Sequence, residues 1–238
     1  MAQFIYGKNV VIARIKENND IDTLYLTKEN KEKFSSSLRN VNYEVASKSK
    51  LDTLARTTYH QGFVAKIKEY PYYELAEVLN SLKGKENPLL LMLDGIKDPH
   101  NFGAILRTCD AIGVDGVIID KDRSCPLNST VARTSTGAIE TVKVIKVSNL
   151  TNTIQKLKKE GYWIVAAEAD EAKDYRDIDY KIPLVVVVGS EGEGISRLVR
   201  ENSDFRVKIP MIGSVNSLNV SIATALILYE VYNNRFPI

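Results

Sequence analysis

Three stretches of this chain set polar residues into apolar surroundings at spacings that suit a ligand. Leu93 to Gly113 reads Leu-Asp-Gly-Ile-Lys-Asp-Pro-His-Asn-Phe-Gly-Ala-Ile-Leu-Arg-Thr-Cys-Asp-Ala-Ile-Gly and carries Asn101 and Arg107. Val185 to Ser196 reads Val-Val-Val-Val-Gly-Ser-Glu-Gly-Glu-Gly-Ile-Ser and carries Gly189 and Glu191. Ile209 to Ala225 reads Ile-Pro-Met-Ile-Gly-Ser-Val-Asn-Ser-Leu-Asn-Val-Ser-Ile-Ala-Thr-Ala and carries Met211, Gly213, Ser217, Leu218 and Asn219. Loops of Gly, Ser and Asn leave backbone N–H and C=O groups within reach of a ligand.

The middle loop, Gly189 to Gly194, follows four valines and invites comparison with nucleotide loops. Its glycines lack the dinucleotide spacing, and it has no P-loop lysine. Glu191 and Glu193 would repel a pyrophosphate, which argues against NAD and ATP. Arg107 belongs to a helical pattern in which Ile105, Cys109 and Ile112 share a face. At about 100° per residue it points roughly 200° away from Ile105. Ala104 and Ala111 flank it, so a macromolecular ligand or a second subunit could approach closely; a solvated surface arginine is the plainer alternative. His100 has no evident partner to make it a general base, while His60 suits a turn or a ligand contact in the small module.

The elements that must position these residues read as follows. The first 68 residues alternate short helices (9–16, 28–38, 49–55) with extended runs (22–27, 41–46, 63–68), a small α/β module. A connector with a helix over 74–82 ends in the polar Lys83 to Pro88 stretch, whose composition suits a boundary. Its tyrosines could stack on bases or simply pack. From Leu89 onward, apolar strands at 89–95, 116–120, 141–147, 162–167, 184–189 and 205–209 alternate with helices near 101–113, 129–138, 150–160, 194–202 and 219–234. Such strands imply a parallel sheet with helices on both faces and ligands beyond the carboxyl ends. Asn101 is expected to cap the helix after Asp98-Pro99, and Asn219 or Ser217 the last helix. That last helix is apolar nearly all round, which calls for cover on two sides, a core and a partner subunit. The expected division is 1–70, a linker 71–88, and 89–238, with a chain beginning near Glu86 able to fold alone.

In order and spacing, the three stretches resemble the motifs of the SpoU/TrmH family of RNA ribose 2'-O-methyltransferases, within the SPOUT superfamily. The N-terminal part resembles the substrate-binding domain of the branch that modifies 23S rRNA. The resemblance implies a deep trefoil knot, a front domain like ribosomal protein L30e, a homodimer, and S-adenosylmethionine as cofactor. Gly189, Ile209, Leu218, Met211 and Gly213 would hold that donor. An acidic loop tolerates its sulfonium, which carries no phosphate. Arg107, Asn101, Glu191, Ser217 and Asn219 would be the catalytic set. A guanidinium stays protonated, so Arg107 suits a clamp on a developing alkoxide and a phosphate better than a base. A guanosine of 23S rRNA is the expected target; tRNA ribose methylation or RNA binding without catalysis are the alternatives.

Bulk properties agree with a globular protein in a reducing compartment. The 238 residues are 44% hydrophobic and 26% charged, with two cysteines and two histidines that form no metal-ligand pattern. No apolar run reaches a membrane span and the start lacks a signal-peptide pattern, so a cytoplasmic, metal-free protein is expected. Residues 1–70 hold 12 Lys and Arg against 8 Asp and Glu, while the remainder holds 20 against 22. A basic front on a faintly acidic body suits RNA capture, or is chance on a solvated surface.

Overall fold

The computed structural model describes residues 3–168, 172–214 and 217–237, so Val215 and Asn216 of the third motif lie outside the described residues. The chain forms two compact units: Met1–Pro71 with Pro126–Thr141, and Tyr72–Cys125 with Val142–Ile238.

The first unit contains β1 (Gln3–Tyr6), α1 (Lys8–Lys16), β2 (Thr23–Leu26), α2 (Lys28–Lys33), β3 (Tyr43–Val45), α3 (Lys48–Ala55) and β4 (Phe63–Ile67). Its sheet order is β1-β4-β2-β3, antiparallel on both sides of β4 and parallel between β2 and β3. Ile5, Leu24, Leu26, Leu51, Phe63 and Ile67 are fully buried and form its centre. Thr27 and Ser47 cap α2 and α3 by accepting from the backbone N–H groups of Asn30 and Lys50. The sequence patterns miss β1, because four residues carry too little periodicity; its full-length pairing with β4 is what makes it a strand. His60 is 4% exposed, its Nδ1 accepting from the Gly62 N–H (2.9 Å) and its Nε2 3.0 Å from Asp52. It therefore orders the turn into β4, and the turn reading is the one its burial supports.

The remaining elements are α4 (Leu75–Ser81), β5 (Leu89–Asp94), α5 (Pro99–Ile112), β6 (Gly116–Asp120), α6 (Ser129–Thr134), β7 (Val144–Val147), α7 (Leu150–Lys159), β8 (Trp163–Ala167), β9 (Lys173–Asp174), β10 (Leu184–Gly189), α8 (Arg197–Glu201), β11 (Phe205–Lys208) and α9 (Val220–Arg235). All these strands join one parallel sheet, ordered β7-β6-β5-β10-β8-β11-β9. β5 and β6 are buried along their whole length, as strands covered on both faces must be. The connector packs rather than dangles. The Tyr73 N–H donates to Val144 O (2.9 Å), the Tyr72 ring lies under Lys146 Nζ (4.3 Å), and Val78 of α4 enters the core.

One element departs from the expected linear division. The crossover from β6 to β7, residues 126–141, belongs to the first unit, where α6 packs on β1. Helix α6 stops at Thr134 instead of running to 138, because Thr136 and Gly137 take positive φ angles of 57° and 102°. A Cβ on Gly137 would meet the Ala13 Cβ at 2.6 Å, so only glycine allows this approach. Beside it, Arg14 Nη1 pairs with Glu140 Oε2 at 2.9 Å, and Asn19 donates to the same oxygen at 2.9 Å. Neither charged side chain is more than 4% exposed.

Candidate active site

A parallel sheet presents all its strand ends on one rim, and loops from three of them meet there. A cavity of about 460 Å³ opens beyond β8, β10 and β11, lined by Ala167 and Glu168, by the Gly189–Gly194 loop, by Val207 and Ile209, and by Met211, Ser217 and Leu218. Val220, Ala223 and Ile227 of α9 close its floor. Among the described residues the lining contains Glu168, Glu191 and Glu193 and no Lys or Arg. The Gly189–Gly194 loop is shut by an antiparallel bridge between Ser190 and Gly194. A Cβ on Gly189 would lie 2.0 Å from the Gly194 carbonyl carbon, so the loop closes only over a glycine.

At one end of this cavity Glu191 joins three elements. Asn101 Nδ2 of α5 donates to Glu191 Oε1 at 3.0 Å. Asn219 Nδ2, before α9, donates to that oxygen at 2.7 Å and to Asn101 Oδ1 at 3.0 Å. The Asn219 Oδ1 accepts from the Ser221 N–H (3.0 Å) and hydroxyl (2.6 Å), so Asn219 is the cap of α9. Asn101 is not the cap of α5, as the sequence suggested. Asp98 caps it, accepting from the His100 N–H at 2.9 Å. Pro99 has no N–H and a φ fit for the first helical position, which pushes the cap one residue ahead of it. Asn101, released from capping, turns its amide toward Glu191.

Of the residues singled out in the sequence, Gly189, Glu191, Ile209, Met211, Ser217 and Leu218 therefore line the cavity. Asn101 and Asn219 are tied to it through Glu191. Arg107 is exposed, and no hydrogen bond or ion pair engages it among the described residues. Six residues along α5, it stands about 9 Å from Asn101 in helical rise. Gly213 is exposed and not in the lining. His100 is exposed, and among the described residues its side chain has no partner. Sequence reasoning missed Glu168, whose Oε1 is held by Arg200 Nε at 2.7 Å. Its place directly after β8 was the available signal, since every strand end in such a sheet faces the ligand rim. A second, open groove of about 500 Å³ runs along α7 past Lys146, Lys156 and Lys159 and holds none of these residues.

Fold and site together define an α/β protein with a glycine-closed, acidic pocket on the rim of a parallel sheet and an amide–carboxylate cluster at its edge. Residues 88–229 match the SpoU rRNA Methylase family, and residues 4–73 match a family described as RNA 2'-O ribose methyltransferase substrate binding. A relative in Staphylococcus haemolyticus, assigned to the TrmH family of tRNA/rRNA methyltransferases, is 46% identical over 98% of this chain and 96% of its own length. One from Staphylococcus aureus (strain COL), assigned likewise, is 52% identical over 82% of this chain and 79% of its own. Among solved structures, an AdoMet-bound rRNA methyltransferase from Sinorhizobium meliloti superposes with a TM-score of 0.84 at 25% identity, covering 99% of this chain and 88% of that one. The SpoU methyltransferase AviRb from Streptomyces viridochromogenes, in complex with AdoMet, has the same fold, with a TM-score of 0.83 at 22% identity and coverage of 98% and 90%. The chain belongs to the SpoU rRNA methylase family of RNA methyltransferases.

Proposed function

We propose that this protein transfers a methyl group from S-adenosylmethionine to the 2'-hydroxyl of a ribose, in a guanosine of 23S rRNA, and acts as a homodimer. The observation that carries the donor assignment is the cavity lining, where Glu191 and Glu193 meet no cation among the described lining residues, Glu168 being paired with Arg200 from outside it. That field favours a sulfonium and disfavours phosphate-bearing cofactors, and the volume of about 460 Å³ suits a nucleoside-sized ligand. Backbone at Gly189, Ile209 and Leu218 would hold the adenosine and methionine parts. When bound, the donor supplies an electrophilic methyl carbon on a positively charged sulfur.

Transfer requires the ribose oxygen in line with the S–CH3 bond, loss of its proton, and a held RNA backbone. Glu191, in the cavity wall, fixes the side chains of Asn101 on α5 and Asn219 at the cap of α9, so that both amides are held beside the cavity. Ser217 orients the donor or the RNA from the cavity wall. Arg107, permanently cationic and unpaired among the described residues, acts as the clamp on the developing alkoxide and an adjacent phosphate. The substrate-binding match over residues 4–73 supports rRNA, because the front unit is the part that would hold a large RNA. Exposed Ile222, Leu226, Tyr229 and Tyr232 on α9 support the homodimer. The threaded C-terminal knot belongs to this reading through family membership.

Calorimetry tests the donor assignment: the RNA-free protein should bind S-adenosylmethionine and neither NAD nor ATP. Tighter binding of NAD than of the methyl donor would overturn it. Mapping ribose methylation in the rRNA and tRNA of a strain lacking the protein tests the target. A missing mark in tRNA alone would replace 23S rRNA with tRNA.

A further inference from the structure

A chain of charged contacts enters the glycine loop from behind, through residues that the reading above does not use. Arg123 follows β6, and its Nη2 lies 3.1 Å from Asp120 Oδ2 at the end of β6 and 3.2 Å from Asp94 Oδ1 at the end of β5. The Asp94 side chain is 1% exposed, whereas Arg123 remains 49% exposed. The second oxygen of Asp94 accepts from the Ser196 N–H at 2.8 Å. Ser196 sits at the start of α8, two residues beyond Gly194, where the Gly194 N–H donates to Ser190 O at 2.9 Å and shuts the loop. Arg123, Asp94, Ser190 and Glu193 all border one cleft of about 50 Å³.

A buried carboxyl group must find partners for both oxygens, and Asp94 finds them in the Arg123 guanidinium and the Ser196 N–H. The position of Arg123 is set by Asp120, whose Oδ1 accepts from the backbone N–H groups of Asp122 (2.8 Å) and Arg123 (3.2 Å). Burial opposes ionisation of Asp120, yet these N–H groups and the guanidinium hold its carboxyl below the ordinary value. Arg123 Nη2 thus bridges the ends of β5 and β6, and Asp94 links it to Ser196, just beyond the loop that bears Glu191.

We propose that Arg123 is a positioning residue for methyl transfer, holding the Gly189–Gly194 loop closed through Asp94 and Ser196 so that Glu191 can hold Asn101 and Asn219. The inference rests on that loop being the donor site. Arg123→Ala should raise the Kd for S-adenosylmethionine about tenfold and slow single-turnover methyl transfer, while affinity for the RNA stays unchanged. Arg123→Lys should recover only part, because an ammonium can replace Nη2 between the two carboxylates but not the Nε contact to Asp120 that holds the guanidinium plane. Asp120→Asn should raise the Kd less than Arg123→Ala does, since the guanidinium remains beside Asp94 but loses the charge that sets its position. Hydrogen–deuterium exchange over residues 190–196 in donor-free protein reads the loop directly and should quicken in both Arg123 variants. Unchanged exchange and donor affinity in a folded Arg123→Lys, the variant that decides if Arg123→Ala fails to fold, overturns the proposal. Loss of RNA affinity with donor affinity intact overturns it as well, and would make Arg123 an RNA contact. Wild-type protein that binds no donor sinks the reading of the loop instead, and the exchange measurement still judges the strap.

Discussion

In the proposed function, the residue that would separate a methyltransferase site from a mere donor pocket is Arg107. It is exposed on α5 and unengaged among the described residues, so nothing in the fold needs it. Its replacement should therefore leave stability almost untouched, within the few tenths of a kcal/mol usual for surface positions. Methyl transfer by Arg107→Ala should nonetheless drop on the order of a hundredfold or more, as loss of one transition-state stabiliser does. Donor affinity should hold, since Arg107 is absent from the cavity lining. Arg107→Lys should restore activity only in part. A single-turnover assay decides it: a fully active alanine variant makes Arg107 an ordinary surface arginine. Glu191 is the opposite kind of residue, with one oxygen shared by two amides, so structure and chemistry cannot be separated there.

At the scale of elements, the β6–β7 crossover is held to the first unit by a buried ion pair and a glycine contact. Burial pushes the Glu140 carboxyl above its ordinary value, with Arg14 and Asn19 opposing. Arg14→Met would leave that carboxylate buried without its cation, and should cost about 3–5 kcal/mol in urea unfolding. Arg14→Met combined with Glu140→Leu should recover most of the loss, because a matched apolar pair avoids desolvating two charges. The pH dependence has a defined sign. A group whose folded pKa is raised contributes stability below its unfolded value and loses it as pH rises through the folded one. The deficit of Arg14→Met should therefore be smallest near pH 4.5, the ordinary carboxylate value, and grow upward from there. A deficit that is constant with pH would show that packing, not charge, holds the crossover. Helix α9 is anchored differently: Arg235 donates to the carbonyls of Asn87 (2.7 Å), Ile182 (2.8 Å) and Tyr180 (3.0 Å), tying its last turn to the bottom of the second unit.

At the scale of the whole molecule, the two units exchange the chain three times, at 71/72, 125/126 and 141/142. A chain beginning at Glu86 thus keeps residues 126–141 but lacks the sheet on which they pack. Val131 and Ala132, both at 0% exposure, would face water together with Ala138 and Ile139. The expectation that such a fragment folds cleanly gives way: it should aggregate or unfold at lower urea than the full chain. Replacing 126–141 by a short polar link should rescue it, and equal stability of the two fragments would mean the crossover adds nothing. Oligomeric state is the other molecular question. Leu226→Arg and Tyr229→Arg on the exposed face of α9 should convert a dimer to a monomer in sedimentation, with donor affinity kept, since neither residue lines the cavity. A monomeric wild type would sink the dimer reading.

What the sequence alone determined was whatever repeats locally. Runs such as Leu89–Asp94 and Leu184–Gly189 declared a buried parallel sheet because both of their faces are apolar, and the rim rule then pointed to the end of the sheet where the cavity opens. The glycine loop and its charge were legible for the same reason, being consecutive residues. Tertiary structure decided what depends on partners distant along the chain. It moved the cap from Asn101 to Asp98 and gave Asn101 to a carboxylate ninety residues away. It brought Glu168 into the cavity, linked Asp94 to Arg123, and took the β6–β7 crossover out of the unit whose strands it connects. Periodicity reports which face of an element is apolar; it carries no information about which other element that face will meet.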